Sequence, residues 1–232
     1  MRRRQLSRRM PGRRPGPADR FGRESLLDAA IVLFAERGIA NTTIARIAAA
    51  GGVTSAMVHY WFDNRERLLE ALVEERLGPL FNYVWSEPEA PRLTPIALAE
   101  GVMQRMLEVT AKNAWLPSLW LREVVNEGGL LRELALRRIP LERVSAFTRA
   151  MAQGSERGDL TPGIEPALIF ISILGLVMLP QAVAKIWQRL NPSLTLGPAM
   201  LERHVAALLM HGLARGATAG RRRGRTRGRR PS

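Results

Sequence analysis

Apolar residues recur along most of this chain with the 3.6-residue period of a helix face, and no segment shows the strict alternation of a strand. The first run is Leu27, Ala30, Ile31 and Phe34, at i, i+3, i+4 and i+7, with Glu24 in the opening turn and Gly38 just past the end. A second, shorter run carries Ile44, Ile47 and Ala48, with Thr42 or Thr43 at its N-cap and Gly51-Gly52 at its close. Thr54 or Ser55 caps a third run so soon afterwards that helices two and three must meet in a tight turn. Asn64 caps a fourth through Leu68, Leu69, Leu72 and Val73, with a disturbance expected at Gly78-Pro79. Three prolines in the stretch from Ser86 through Pro95 mark a linker. Beyond it the pattern predicts helices over 96–112, 117–127, 130–157 with a break near Pro140, 166–190 and 197–214. The fold class expected is all-α, a small N-terminal three-helix unit followed by a larger helical bundle.

Charge changes this picture at the two ends. The chain of 232 residues is 46% hydrophobic and carries a net charge of +14. Residues 1–20 hold eight Arg and one Asp and residues 215–232 hold eight Arg, so the body between them nets −1. The division expected is a disordered basic arm (1–22), a small helical unit (23–77), a larger domain (78–214) and a disordered Arg-rich tail (215–232). Such tails favour a polyanionic partner. There is no cysteine, which excludes disulfides, a thiol nucleophile and thiolate-bound metal, and points to a cytoplasmic location. The N-terminal arginines run into Pro11, Gly12, Pro15 and Gly16 and not into an apolar stretch, so no secretory signal is read there.

The 19 residues between Glu165 and Lys185 carry no charge, which is about membrane-spanning length. Pro166, Pro180 and Gln181 argue against a span. An all-round apolar helix buried in a subunit interface is expected instead, with no membrane partner.

The stretch from Thr43 to Arg65 carries the function. Two short helices joined at a Gly turn make a helix-turn-helix, whose second helix enters the DNA major groove. Its apolar face is Val53, Val58 and Phe62, packed on Ile47 and Phe34. Thr54, Ser55, Ala56, Met57, His59 and Tyr60 are left outward, where hydroxyls reach phosphates or base edges and Ala or Met touches a thymine methyl. With Thr43, Arg46 and Arg65 these form the candidate DNA-binding set. Here the chain resembles the tetracycline-repressor (TetR) family of transcriptional regulators. The resemblance covers residues 23–77, through Phe34, Gly38, Thr43, Ile47-Ala48, Gly52-Val53, His59-Tyr60-Trp61-Phe62, Asn64 and Leu68-Leu69. His59 stands where the family usually has Tyr, and Arg65 where it usually has Lys; Arg65 still supplies a phosphate-binding cation at a helix N-terminus.

The resemblance implies a homodimer on an inverted-repeat operator in double-stranded DNA, with a C-terminal domain that dimerises and binds a small effector. It further implies that the last two helices pair across the dimer axis. For the effector, Met103, Met106, Leu107, Trp115, Trp120, Phe147 and Met151 are candidate lining residues for a largely apolar molecule, against a plain core role for each. Arg122, Glu123 and Asn126 either orient a ligand's polar end or form a solvated face or intersubunit pair. His204 and His211 sit seven residues apart on one helix, roughly 10 Å and too far to share a metal ion, so no metal and no cofactor is expected. No nucleophile elbow or phosphate-cradling loop is present, so no catalytic residue is assigned and an enzyme is not expected. The alternative is a general nucleic-acid-binding protein driven by the Arg-rich tails.

Overall fold

The computed structural model describes residues 17–86, 93–193 and 195–214. They are helical throughout, and the one β-type pairing among them is an isolated antiparallel bridge between Leu160 and Ala214. Two compact units divide between Ala71 and Leu72, six residues before the boundary read from the sequence.

In the first unit, helix α1 runs Pro17–Arg37, α2 Ile44–Ala50, α3 Ser55–Phe62 and α4 Arg65–Leu72. Helix α1 therefore begins six residues earlier than the arm expected over 1–22, and residues 1–16 of that arm lie outside the described residues. Leu26, Leu27, Ala30, Ile31 and Phe34 form its buried face, met by Ile39, Ile47, Ala48, Val58 and Phe62. Each of the larger of these side chains contributes about 1.5–3 kcal/mol by leaving water, enough to hold short helices that would not persist alone. Gly38, at φ 82°, closes α1 in a backbone region other residues avoid.

One residue lacks that licence. Asp63, between α3 and α4, has φ 62° and ψ −61°, and the Asn64 N–H donates to Phe62 O at 2.6 Å across it. This is a three-residue γ-turn of the rare, strained hand. Asp63→Gly is expected to raise unfolding stability by about 1 kcal/mol, the relief of strain exceeding the added chain entropy. Urea denaturation checks it; an unchanged midpoint would mean the turn holds no strain.

In the second unit the chain continues through a π-helical turn, Val73–Leu77, into α5, Gly78–Val84. The disturbance thus falls just ahead of Gly78-Pro79. Pro79 has no N–H and its ring crowds the carbonyl four residues back, and the widened turn, with Gly78 N–H on Val73 O, makes room. Helix α6, Pro95–Lys112, is capped by the Thr94 hydroxyl oxygen accepting from Ala97 N–H at 3.2 Å. It packs against α5, against α9 (Leu141–Glu156), against α10 (Ile169–Ala182) and against α12 (Pro198–Leu213).

Three long helices expected from the sequence are broken. The one over 117–127 is α7, Leu116–Trp120, plus a π-helical turn Leu121–Val125. That over 130–157 is α8, Arg132–Leu136, and α9, divided near Pro140 as expected. The apolar stretch over 166–190 is a 3-10 turn Pro166–Leu168, α10, and α11, Ala184–Leu190, bent by 61°. Pro180 cannot donate to the carbonyl of Leu176 and crowds it, and the helix gives out three residues later at Val183. Among the described residues no single helix is long and apolar enough to cross a membrane, although this bent pair passes together by length and composition.

A single chain covers one side of that apolar stretch and leaves the other open to a subunit interface. Within one chain α10 buries only Ile169, Ile173, Val177 and Met178. Its other side leaves Leu168, Ile171 and Leu179 each more than half exposed, with Gly175 between them.

Candidate nucleic-acid interface and effector cavity

Two threonines start the two short helices. Thr43, not Thr42, caps α2: its hydroxyl oxygen accepts from Arg46 N–H at 3.3 Å. Thr42 is fully buried and donates to Gly38 O at 2.8 Å. Thr54, not Ser55, caps α3 through Met57 N–H at 3.3 Å. Between the helices Gly52 takes φ 67°, with Gly51 and Gly52 N–H closing onto Ile47 and Ala49 carbonyls. The turn is as short as the spacing of caps required.

Val58 and Phe62 are buried and Val53 half-buried, so α3 turns its other side to solvent. Thr54, Ala56, Met57, His59 and Tyr60 are exposed there, Tyr60 by 70%, with Ser55 half-buried among them. His59 Nδ1 lies 2.9 Å from Asp63 O. A carbonyl only accepts, so Nδ1 carries the hydrogen and Nε2 faces outward chemistry as acceptor or, when protonated, as donor. Thr43 and Arg46 are exposed at the start of α2, with Arg46 NH1 donating to Asn41 O at 3.0 Å. Arg23 stacks over the Phe62 ring at 4.8 Å. Trp61 packs on Gly22, where a Cβ would come within 2.9 Å of the indole.

Arg65 is placed differently from the phosphate-binding cation expected. It is half-buried, and its guanidinium donates to Thr42 O at 2.8 Å and to Ile39 O, bracing the loop between α1 and α2. Asn64 caps α4 as expected, its Oδ1 accepting from Arg67 N–H at 2.9 Å.

Since Thr43 both caps a helix and is exposed, two roles can be separated by substitution. Thr43→Ala is expected to cost about 1 kcal/mol of stability through the lost cap, whereas Thr43→Asp keeps the cap. On DNA the carboxylate would face phosphate, so Thr43→Asp should bind less well than Thr43→Ala despite being more stable. Equal affinities would remove Thr43 from the interface.

Among the described residues of the second unit lie a small apolar chamber and an apolar cleft. A chamber of about 60 Å³ is walled by residues including Phe81, Trp85, Met106, Trp120, Phe170 and Met178. Trp120 meets Phe81 edge-on at 5.8 Å, and its buried Nε1 has no hydrogen-bond partner among the described residues. A cleft of about 220 Å³ is lined by Leu98, Val102, Phe147 and Trp85, together with Arg105 and Arg143. Trp85 is the residue the two share, in ring contact with Phe147 at 5.7 Å and Phe170 at 4.7 Å.

Of the expected lining residues, Met106 and Trp120 reach the chamber and Phe147 the cleft. Leu107 lines a separate, more polar pocket with Gln104, Glu108 and Gln181. Met103 and Met151 are core residues, and half-buried Trp115 lines none of these cavities. Glu123 is not on a solvated face: it is buried, and its Oε2 accepts from Leu130 N–H at 3.2 Å. Arg122 and Asn126 are exposed.

Sequence reading missed Arg105 and Arg143, although a signal exists. Leu98, Val102 and Arg105 fall at i, i+4 and i+7 on α6, so an arginine continues an apolar stripe. Burial lowers the pKa of Arg105 from its ordinary value, against the opposing pull of Tyr83 and Glu108. Arginine nonetheless stays charged at neutral pH.

Residues 26–72 match the family model described as bacterial regulatory proteins, tetR family. The chain is 40% identical over 72 residues, 29% of its length, to the HTH-type transcriptional repressor KstR2 of Rhodococcus jostii. That alignment spans 35% of the repressor, and two further curated regulators are matched over 29 and 38% of theirs, so about a third of these relatives is covered. Among solved structures, the fold is similar to ketosteroid transcriptional regulator KstR2 of Mycobacterium tuberculosis, with TM-score 0.66 at 20% identity over 84% of this chain and 95% of that one. It is similar also to a TetR-family transcriptional regulator from Haemophilus influenzae, with TM-score 0.59 at 16% identity over 86% and 100%. Residues 26–72 therefore match the tetR-family regulatory model across the helix-turn-helix, and most of the chain shares its fold with solved transcriptional regulators.

Proposed function

We propose that this protein is a dimeric transcriptional repressor that binds an inverted-repeat operator through α3 and leaves it when a small molecule occupies the second unit. The observation that carries the reading is the outer face of α3, where exposed hydroxyl, imidazole, thioether and phenol groups stand on a helix held from behind by Val58 and Phe62. Such a face offers donors for phosphate and base edges and apolar groups for thymine methyls. The proposed DNA-contacting set is Thr43, Arg46, Thr54, Ser55, Ala56, Met57, His59 and Tyr60, with Arg65 acting through the loop it braces.

The exposed apolar side of α10 supports dimerisation. On α12, Met200 and Leu208 are also exposed while Leu201, Val205, Leu209 and Leu213 are buried. Two helices, each with one face in its own core and an apolar stripe outside, suit pairing with a second copy about a two-fold axis. The protein would work in the cytoplasm, where its DNA is.

The Arg-rich ends favour a second reading, a general binder of nucleic acid with little sequence choice. Selection of binding sites from random DNA, followed by footprinting, separates the two. An inverted repeat is expected; recovery of none would sink the repressor. Trimming the protein to residues 21–214 should leave the preferred repeat intact while making log affinity less steep in log salt, by roughly 0.9 per lost phosphate contact. Loss of all preference on trimming would favour the general binder.

A further inference from the structure

The cleft between α6 and α9 is apolar but holds two cations. Arg105 Nε donates to Val84 O at 2.9 Å, and Arg143 NH1 donates to Trp85 O at 3.1 Å. These are consecutive carbonyls at the end of α5, so the two guanidiniums converge there, and both line the cleft. Among the described residues neither has a carboxylate at ion-pair distance. Glu108, three residues along the same helix, pulls on Arg105 through space from beyond ion-pair distance. It accepts from Tyr83 OH at 2.6 Å, which pushes the Tyr83 pKa up, and stands 4.0 Å from Lys112.

Arg105 packs closely over Gly101. A Cβ on Gly101 would lie 3.2 Å from Arg105 NH1, so the guanidinium occupies the space that this helical glycine leaves vacant. Each arginine uses one N–H on a carbonyl and keeps other donors, in a planar fork suited to a carboxylate or phosphate oxygen pair. The remaining walls, Leu98, Val102, Ala146, Phe147 and Trp85, are apolar, with Ser86 adding a hydroxyl just past the end of α5.

We propose that this cleft binds a small amphipathic anion, its acidic head held by Arg105 and Arg143 and its apolar body laid against Leu98, Val102, Phe147 and Trp85. The volume of about 220 Å³ lies just under the usual range for ligand sites, so the body is short. Trp85 sets its length, because the indole stands between the cleft and the inner chamber. This assignment rests on the reading of the second unit as the effector-binding part.

Isothermal titration of the full-length protein, without DNA and below micelle formation, tests it with decanoate, decanol and decylammonium. Decanoate should bind about tenfold or more tightly than decanol, and decylammonium least. In an Arg105→Gln, Arg143→Gln double variant, decanoate should weaken about tenfold while decanol stays unchanged, which reports that the cleft is still folded. Trp85→Ala should shift the preference to a longer carboxylate. Decanoyl-coenzyme A distinguishes a free carboxylate from a phosphate-bearing conjugate as the source of the head, whichever binds more tightly. Equal affinity for decanoate and decanol, a charge preference that survives in the double variant, or no binding of either anion would overturn the proposal. A protein that binds decanoate yet selects no inverted repeat would keep this inference and sink the repressor; the converse would do the opposite.

Discussion

A Gly175→Arg protein is expected to be a folded monomer that has lost its grip on an inverted repeat. Gly175 lies on the exposed side of α10, and a Cβ built there meets nothing within 4 Å. Arginine therefore clashes with no part of its own chain, and replacing a mid-helix glycine favours the helix by about 0.5–1 kcal/mol. Within a dimer built on Ile171, Leu179 and Leu208 the same side chain would be an unpaired charge in an apolar contact, and each subunit would bring one. Stranding a charge in this way costs about 3–5 kcal/mol, which weakens the dimer by two to three orders of magnitude or more. Light scattering behind size-exclusion chromatography measures the mass, and circular dichroism confirms the helices. Operator affinity should fall with the dimer, since two linked reading heads bind far better than one. A variant that stays dimeric at micromolar concentration would place the interface on another face.

The second large effect separates two neighbouring residues that look alike as DNA contacts. Arg65→Ala removes the guanidinium from Thr42 O and Ile39 O and leaves both carbonyls without that donor. Hydrogen bonds to a charged group contribute about 1.5–3 kcal/mol each, reduced here by partial exposure, so a loss of about 2–3 kcal/mol is expected. Affinity for DNA would fall only as far as the unit unfolds or α2 shifts. Tyr60→Ala should do the reverse. At 70% exposed the ring supports little of the core, and stability should change by less than about 0.5 kcal/mol. Affinity should drop about tenfold across all DNA sequences, as expected of a phosphate contact. Thermal melting beside gel-shift titration reads both axes. Arg65→Ala with full stability, or Tyr60→Ala with full affinity, would break the assignment.

Much of the helix-turn-helix was legible in the sequence because its determinants are local. Thr43 and Thr54 bond to backbone three residues on, Gly51 and Gly52 close their turn within five residues, and the 3.6-residue period of Leu27, Ala30, Ile31 and Phe34 marks the buried face. Short-range rules cover such contacts. The choice of Thr43 over Thr42 was not legible, since both are threonines and the decision lies in Thr42 being turned inward onto Gly38 O.

Tertiary structure decided what depends on residues far apart in the chain. Arg65 reads as a helix-terminal cation until Thr42 and Ile39, 23 and 26 residues away, bring their carbonyls to it. Met103, Met106 and Met151 are equivalent as methionines on helices. Only the packing of α5, α7 and α10 around α6 puts Met106 on a cavity wall and leaves Met103 in solid core. Arg105 and Arg143 sit on helices separated by two others, and nothing local says that both will find the end of α5. Periodicity fixes which side of a helix is apolar. Which neighbour meets that side, and whether the fit closes or leaves a cleft, is set by side chains from several helices competing for one volume.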